Sequence, residues 1–100
     1  MPGFLFWGQH LMDEERRVIR VRAEDKPGVL MRVANIITAK GVNIDWLTVA
    51  PEWGQPGISQ ITITANLEPR FRQRVVSEMD RLINVFSARD VTEEEDNAHP

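Results

Sequence analysis

The stretch DKPGVL (residues 25–30) sets an acid, a proline and a glycine close together, where alternating apolar residues (RVIRVRAE) give way to a helical pattern (VLMRVANIITAK). A corner of this kind can do one sort of chemistry. A helix start exposes several backbone N–H groups without partners, together with the positive end of a dipole. Gly28 has no Cβ, so a ligand can approach those amides closely. A small carboxylate or phosphate suits such a site. The plainer alternative is a capped turn, with Asp25 bonding the first amides while Pro27 and Gly28 shape the corner. The residues alone leave both open.

Other chemistry is hard to place. Both histidines, His10 and His99, fall in terminal segments, so a general base on a rigid element is not a histidine. HExxH, EF-hand, GxGxxG and GxxxxGK[ST] patterns are all missing. With no cysteine there is no disulfide framework, thiolate nucleophile or sulfur metal site. The acidic run Glu93, Glu94, Glu95 and Asp96 reads as a solvated terminus rather than a metal site. We therefore expect no catalytic residue, no metal and no cofactor on this chain.

The 100 residues suit one compact domain with a modest core. A formal charge of −3, from 12 basic and 15 acidic residues, argues against nucleic acid as a partner. No apolar run approaches the roughly 20 residues of a membrane span, and the opening MPGFLFWGQHLMDEERR has no basic signal-peptide start. A cytoplasmic location is the default expectation.

The elements that must position the corner follow from periodicity. Ile19, Val21 and Ala23 alternate with polar residues over 17–24, which predicts a half-buried strand. Pro27 suits the first turn of a helix whose apolar face is Leu30, Val33, Ala34 and Ile37, with Gly41 beyond its end. VNIDWLTVA (42–50) is extended, but its apolar phase slips between Ile44/Trp46 and Leu47/Val49, the mark of a bulge or an edge strand. After the PEWGQPG loop, Ile61, Ile63 and Ala65 share one face of a third strand. Phe71, Val75, Met79 and Leu82 line a second helix, with Pro69 near its start. NVFSARDVT closes a fourth strand before the tail EEEDNAHP.

The order βαββαβ predicts an α+β, ferredoxin-like fold: a four-stranded antiparallel sheet with two helices on one face. The expected organisation is a flexible N-terminal extension (1–16), one domain (17–92) and an acidic disordered tail (93–100). Met12, followed by DEERR, is an alternative initiator. The plan hosts many functions. RNA-recognition domains stack bases on aromatics of strands one and three, where this chain has Val18, Arg20, Arg22, Thr62 and Thr64. Acylphosphatases carry an arginine in the loop after strand one, and DKPGVLM has none before Arg32.

D-x-P-G-V-L between a first strand and a first helix resembles the ACT domain, a family of small-molecule sensors that mostly bind amino acids at domain interfaces. GVNIDWLTVAP resembles the G-x-N-I-x-S-L-T-V-A-P stretch of acetohydroxyacid (acetolactate) synthase regulatory subunits, and LINVFSARDVTEEE resembles a later segment of the same proteins. The resemblance covers roughly residues 17–92. It implies a non-catalytic dimeric subunit that activates a thiamine diphosphate-, Mg²⁺- and usually FAD-dependent catalytic subunit and confers inhibition by valine. A free-standing ACT sensor or adaptor of another enzyme is the alternative.

Carried over by position, the Gly28 and Val29 amides would hold the ligand carboxylate and Asn43 would reach in from a neighbouring chain's second strand. Leu30 and Ile44 would border the ligand side chain. The edge 42–50 would pair two copies into an eight-stranded sheet, with Trp46 and Trp53 either covering that seam or, for Trp46, packing under the helices. Two departures stand out: Asp25 replaces the usual asparagine, favouring an ammonium over a carboxylate, and Trp46 replaces a small serine. At about 1 kcal/mol per heavy atom, a ligand of valine's size reaches roughly micromolar affinity.

Overall fold

Alternation and helical periodicity resolve, in a computed structural model, into β1 (Glu15–Glu24), α1 (Pro27–Thr38), β2 (Ile44–Pro51), β3 (Ile58–Leu67), α2 (Pro69–Asp80), β4 (Val85–Asp90) and α3 (Thr92–Asp96). The structure describes residues 15–96, the last two as backbone only. The strands form one antiparallel sheet in the order β2-β3-β1-β4, so β1 and β3 are central and β2 is an edge. This is the expected ferredoxin-like plan.

Period-two alternation puts Ile19, Val21 and Ala23 of β1 on the same face as Ile61, Ile63, Ala65 and Leu67 of β3. All are buried against Val29, Val33 and Ile37 of α1 and Val75 and Met79 of α2. Each of the larger side chains withdrawn from water contributes about 1.5–3 kcal/mol toward offsetting chain entropy, the two alanines less. Pro27 and Pro69 occupy the first turns of their helices, where a missing N–H is no loss. Past α1, Gly41 takes φ 77, a left-handed conformation that side-chain-bearing residues seldom adopt.

The phase slip in VNIDWLTVA is a bulge. Ile44 lies opposite Ala65, yet Trp46 lies opposite Thr64, so Asp45 is the extra residue. Its effect is to turn the chain over: Ile44, Leu47 and Val49 face the helices, while Trp46 faces the open side of the sheet. Trp46 is 63% exposed, which overturns the reading that packs it under the helices.

Three boundaries differ from expectation. β1 starts at Glu15, so part of the expected 1–16 extension is strand; the extension's residues 1–14 lie outside the described residues. Leu82 falls beyond α2 and packs half-buried on the core from the following turn. The acidic tail begins as helix: β4 stops at Asp90, and residues 92–96 form α3. Residues 97–100 lie outside the described residues. The reason is local. The Asp90 carboxylate accepts both the N–H (2.9 Å) and the Oγ1–H (2.5 Å) of Thr92, and Thr92 Oγ1 accepts the Val18 N–H at 2.9 Å. A short Asp-x-Thr turn of this kind competes with continued strand.

Candidate functional site

The DKPGVL corner is fixed from both sides by backbone. The Asp25 N–H donates to the Gly57 carbonyl (2.9 Å), tying the corner to the β2–β3 loop, where Gly57 takes φ 83. The Lys26 N–H donates to the Glu24 carbonyl at 2.9 Å. Lys26, not Asp25, is the N-cap of α1, and no side chain caps the helix. The capped-turn alternative, in which Asp25 bonds the first amides, is therefore wrong. Asp25 is exposed, and its carboxylate has no ion-pair partner among the described residues.

The first turn closes tightly enough that the Val29 N–H donates to the Lys26 carbonyl at 3.1 Å. That removes one of the two amides expected to face a ligand. Pro27 has no N–H, so Gly28 supplies the amide left without a backbone acceptor among the described residues. A Cβ on Gly28 would meet nothing within 4 Å, and its φ is not positive. No steric demand inside the chain calls for glycine there. A residue that weakens the helix by about 1 kcal/mol relative to alanine thus leaves the amide approachable from outside.

Beside this amide lies a cavity of about 310 Å³, lined by Asp25, Lys26, Leu30, Val49, Ser59 and Ile61 together with Glu24 and Pro27. It sits at the small end of the range for metabolite pockets. Its rim is charged and its walls are aliphatic. Lys26 Nζ lies 2.9 Å from Glu24 Oε2, and that hydrogen bond holds the Glu24 carboxyl below its usual pKa. The loop on the far side is clamped by Arg22, whose Nε and Nη2 donate to Glu52 at 2.6 and 2.7 Å. The paired hydrogen bonds raise the Arg22 pKa and lower that of Glu52. The next residue, Trp53, is 97% exposed.

The expected site residues do not all meet within one chain. Asp25 and Leu30 line the corner cavity, Gly28 follows Pro27 of the lining without being part of it, and the Val29 side chain is buried in the core. Asn43 and Ile44 belong to the other end of β2. Ile44 pairs with Ala65 whereas Pro51 pairs with Ser59, a separation of roughly 23 Å along the strand. Asn43 lines a different cavity, of about 330 Å³, with Lys40, Asp45 and Arg70. Ile44 packs on the core edge.

Sequence reasoning missed Ser59, Val49 and Ile61 as cavity residues. Ser59 carried a signal: it is in phase with the apolar row Ile61, Ile63, Ala65, a polar residue on a core-facing position. Among the described residues no cluster of three or more histidine, cysteine or acidic side chains is arranged for a metal. None of the described helices is long and apolar enough to cross a membrane. His10 and His99 lie outside the described residues. The corner thus offers one open amide at the positive end of a helix, one unpaired carboxylate and an aliphatic lining: the chemistry of holding a small zwitterion.

The model of the AHAS small subunit-like ACT domain family matches residues 19–87, from the middle of β1 into β4. This chain belongs to that family. Over 80 residues it is 38% identical to a probable acetolactate synthase small subunit of Methanothermobacter thermautotrophicus, covering 80% of this chain and 47% of that protein. It is 36% identical to the acetolactate synthase small subunit of Mycolicibacterium smegmatis, covering 80% and 45%. The chain thus spans about half the length of the curated relatives it matches.

Among solved structures it resembles the acetolactate synthase small subunit of Thermotoga maritima, with a TM-score of 0.66 at 24% identity over 76% of this chain and 47% of that one. It also resembles the ACT domain of a GTP pyrophosphokinase from Chlorobium tepidum, with a TM-score of 0.64 at 17% identity over 77% and 97%. At such identities the likeness is one of fold. In this chain the register sets the β1–α1 corner near the end of the edge strand β2, through Ser59 between Ala23 and Pro51, and the cavity described above lies there.

Proposed function

We propose that this chain is a non-catalytic regulatory subunit of acetolactate synthase, which raises the activity of a catalytic subunit and answers to a small amino acid held at the corner cavity. The observation that carries the reading is the unpaired Gly28 amide next to the free Asp25 carboxylate, in an ACT domain of the acetolactate synthase small-subunit type. An amino acid of valine's size would set its carboxylate at the Gly28 N–H and its ammonium at Asp25, against Leu30 and Val49.

The site is completed, in this proposal, by a second copy. β2 is an edge with unpaired backbone groups, and antiparallel pairing with its twin would build an eight-stranded sheet. Because such pairing reverses direction, Asn43 and Ile44 of one copy, at the start of β2, would come to the corner of the other, at its end. A ligand shared by two chains favours one dimer arrangement. A coupling of about 1–3 kcal/mol is enough to regulate a partner.

The test has two arms. The purified chain is mixed with an acetolactate synthase catalytic subunit, and copurification and acetolactate formation are measured. The chain is then titrated calorimetrically with valine, leucine, isoleucine and serine beside a Gly28→Asp variant, which fills the helix mouth with a charge. Complex formation with raised turnover, and binding lost in the variant, is the expected outcome. Failure to bind or activate the catalytic subunit, with amino-acid binding intact, would favour a sensor for a different enzyme.

A further inference from the structure

Ser59 is 6% exposed, and its hydroxyl has no hydrogen-bond partner among the described residues. It stands on the helix-facing side of β3, opposite Ala23 of β1 and Pro51 of β2, in a row otherwise made of Ile61, Ile63, Ala65 and Leu67. It also lines the corner cavity. Alanine would fit the row without a polar atom to satisfy. The hydroxyl oxygen is not sealed off inside the chain; it opens onto the cavity and takes its partner from that side.

We propose that Ser59 sets the side-chain preference of the corner cavity, so that the site takes a small amino acid with a β-hydroxyl, threonine above all, ahead of its aliphatic isostere valine. This rests on the amino-acid reading given above and names the ligand within it. The charged groups of the ligand belong at the exposed rim, with Asp25 and the Gly28 N–H. The side chain then points inward, where Leu30, Val49 and Ile61 are aliphatic and Ser59 is polar.

Threonine offers a methyl group to the first three and a hydroxyl to the fourth. Valine offers two methyl groups. Water can serve Ser59 while the cavity holds solvent, but a ligand that fills the cavity must provide a partner in its place. Valine strands the hydroxyl. Sites that hydrogen-bond a ligand hydroxyl discriminate strongly against the analogue without one, because the buried polar group is then left unpaired.

Calorimetric titration of the full chain with threonine, allo-threonine, serine and valine tests this. We expect threonine to bind at least about tenfold tighter than valine. Allo-threonine, which exchanges the positions of methyl and hydroxyl, should lose that advantage. Ser59→Ala should bring threonine and valine within about twofold of each other, and a thermal melt shows whether that variant is folded. Valine binding as tightly as threonine to the unaltered chain would overturn the Ser59 assignment and leave the amino-acid site standing. Should no amino acid bind, alone or with the catalytic subunit, the site reading falls and this inference with it. The threonine-to-valine ratio of the unaltered chain judges the proposal even if Ser59→Ala fails to fold.

Discussion

Asp90 shows how one carboxylate can end a strand. Its Oδ1 takes two hydrogen bonds from Thr92 and its Oδ2 takes one from Arg17 Nε at 2.9 Å. Burial pushes its pKa up, but the bonds from Thr92 and Arg17 outweigh that and hold it below the ordinary 3.8. A folded-state pKa below the unfolded one stabilises fully above the unfolded value and is lost as pH falls through the folded value. Asp90→Asn should therefore lower stability at neutral pH by about 1 kcal/mol, the Arg17 pair, with side chains 17% and 25% exposed, being only partly screened. Below about pH 4 the difference from the unaltered chain should shrink, as seen in urea unfolding at a series of pH values. Gly28→Ala separates fold from site in the opposite direction. The added methyl meets open space, so the helix should gain about 0.4–1 kcal/mol, while the proposed ligand should bind more weakly. Thermal melts and calorimetry on one variant read both. At this scale the sequence spoke unevenly. Ser59, a polar residue in phase with an apolar row, marks a cavity wall, whereas the capture of the Val29 N–H depends on how tightly a first turn closes, which no residue type dictates.

Elements were the most legible level, because burial of one face imposes its period on the chain. The apolar rows of β1 and β3 became core, and those of α1 and α2 did so in the main, with Val29 buried and Ala34 left outside the core on α1; even the irregularity at Ile44/Trp46 announced the bulge. What the pattern could not give was the direction in which the bulge turns Trp46, since both faces of an edge strand tolerate an indole. α3 was hidden for a different reason: Asp90 and Thr92 act on the backbone through hydrogen bonds, and hydrophobic periodicity does not register those. The exposed edge makes its own prediction. If β2 pairs with its twin, Trp46→Lys should shift the chain toward monomer in analytical ultracentrifugation, because charge on an edge strand opposes pairing. Trp46 is largely exposed, so the melting temperature of the monomer should change little. An unchanged dimer would place the seam elsewhere.

For the molecule as a whole, a core shared by one sheet face and two helices leaves little reserve at this size. Ile63 is fully buried at the centre of β3, and Ile63→Ala should cost about 2–5 kcal/mol, out of a total of about 5–15 for a domain of this size. A melt should fall by about 10 °C or more, and less so if dimerisation or effector binding adds stability. The proposed amino-acid site, by contrast, was only half legible: Asp25 and Leu30 gather at the corner, while Asn43 and Ile44 lie at the far end of β2, and residue types carry no measure of that distance. Trp53 has a use that follows from where it stands. It is almost wholly exposed, beside Glu52 in the loop that Gly57 ties to the Asp25 corner, and the chain has no tyrosine and 3 tryptophans. The protein therefore carries its own optical reporter in the loop that is tied to the corner. Indole emission that moves to shorter wavelength with rising protein concentration, and disappears from that response in Trp53→Phe, would time the closing of the seam without any label.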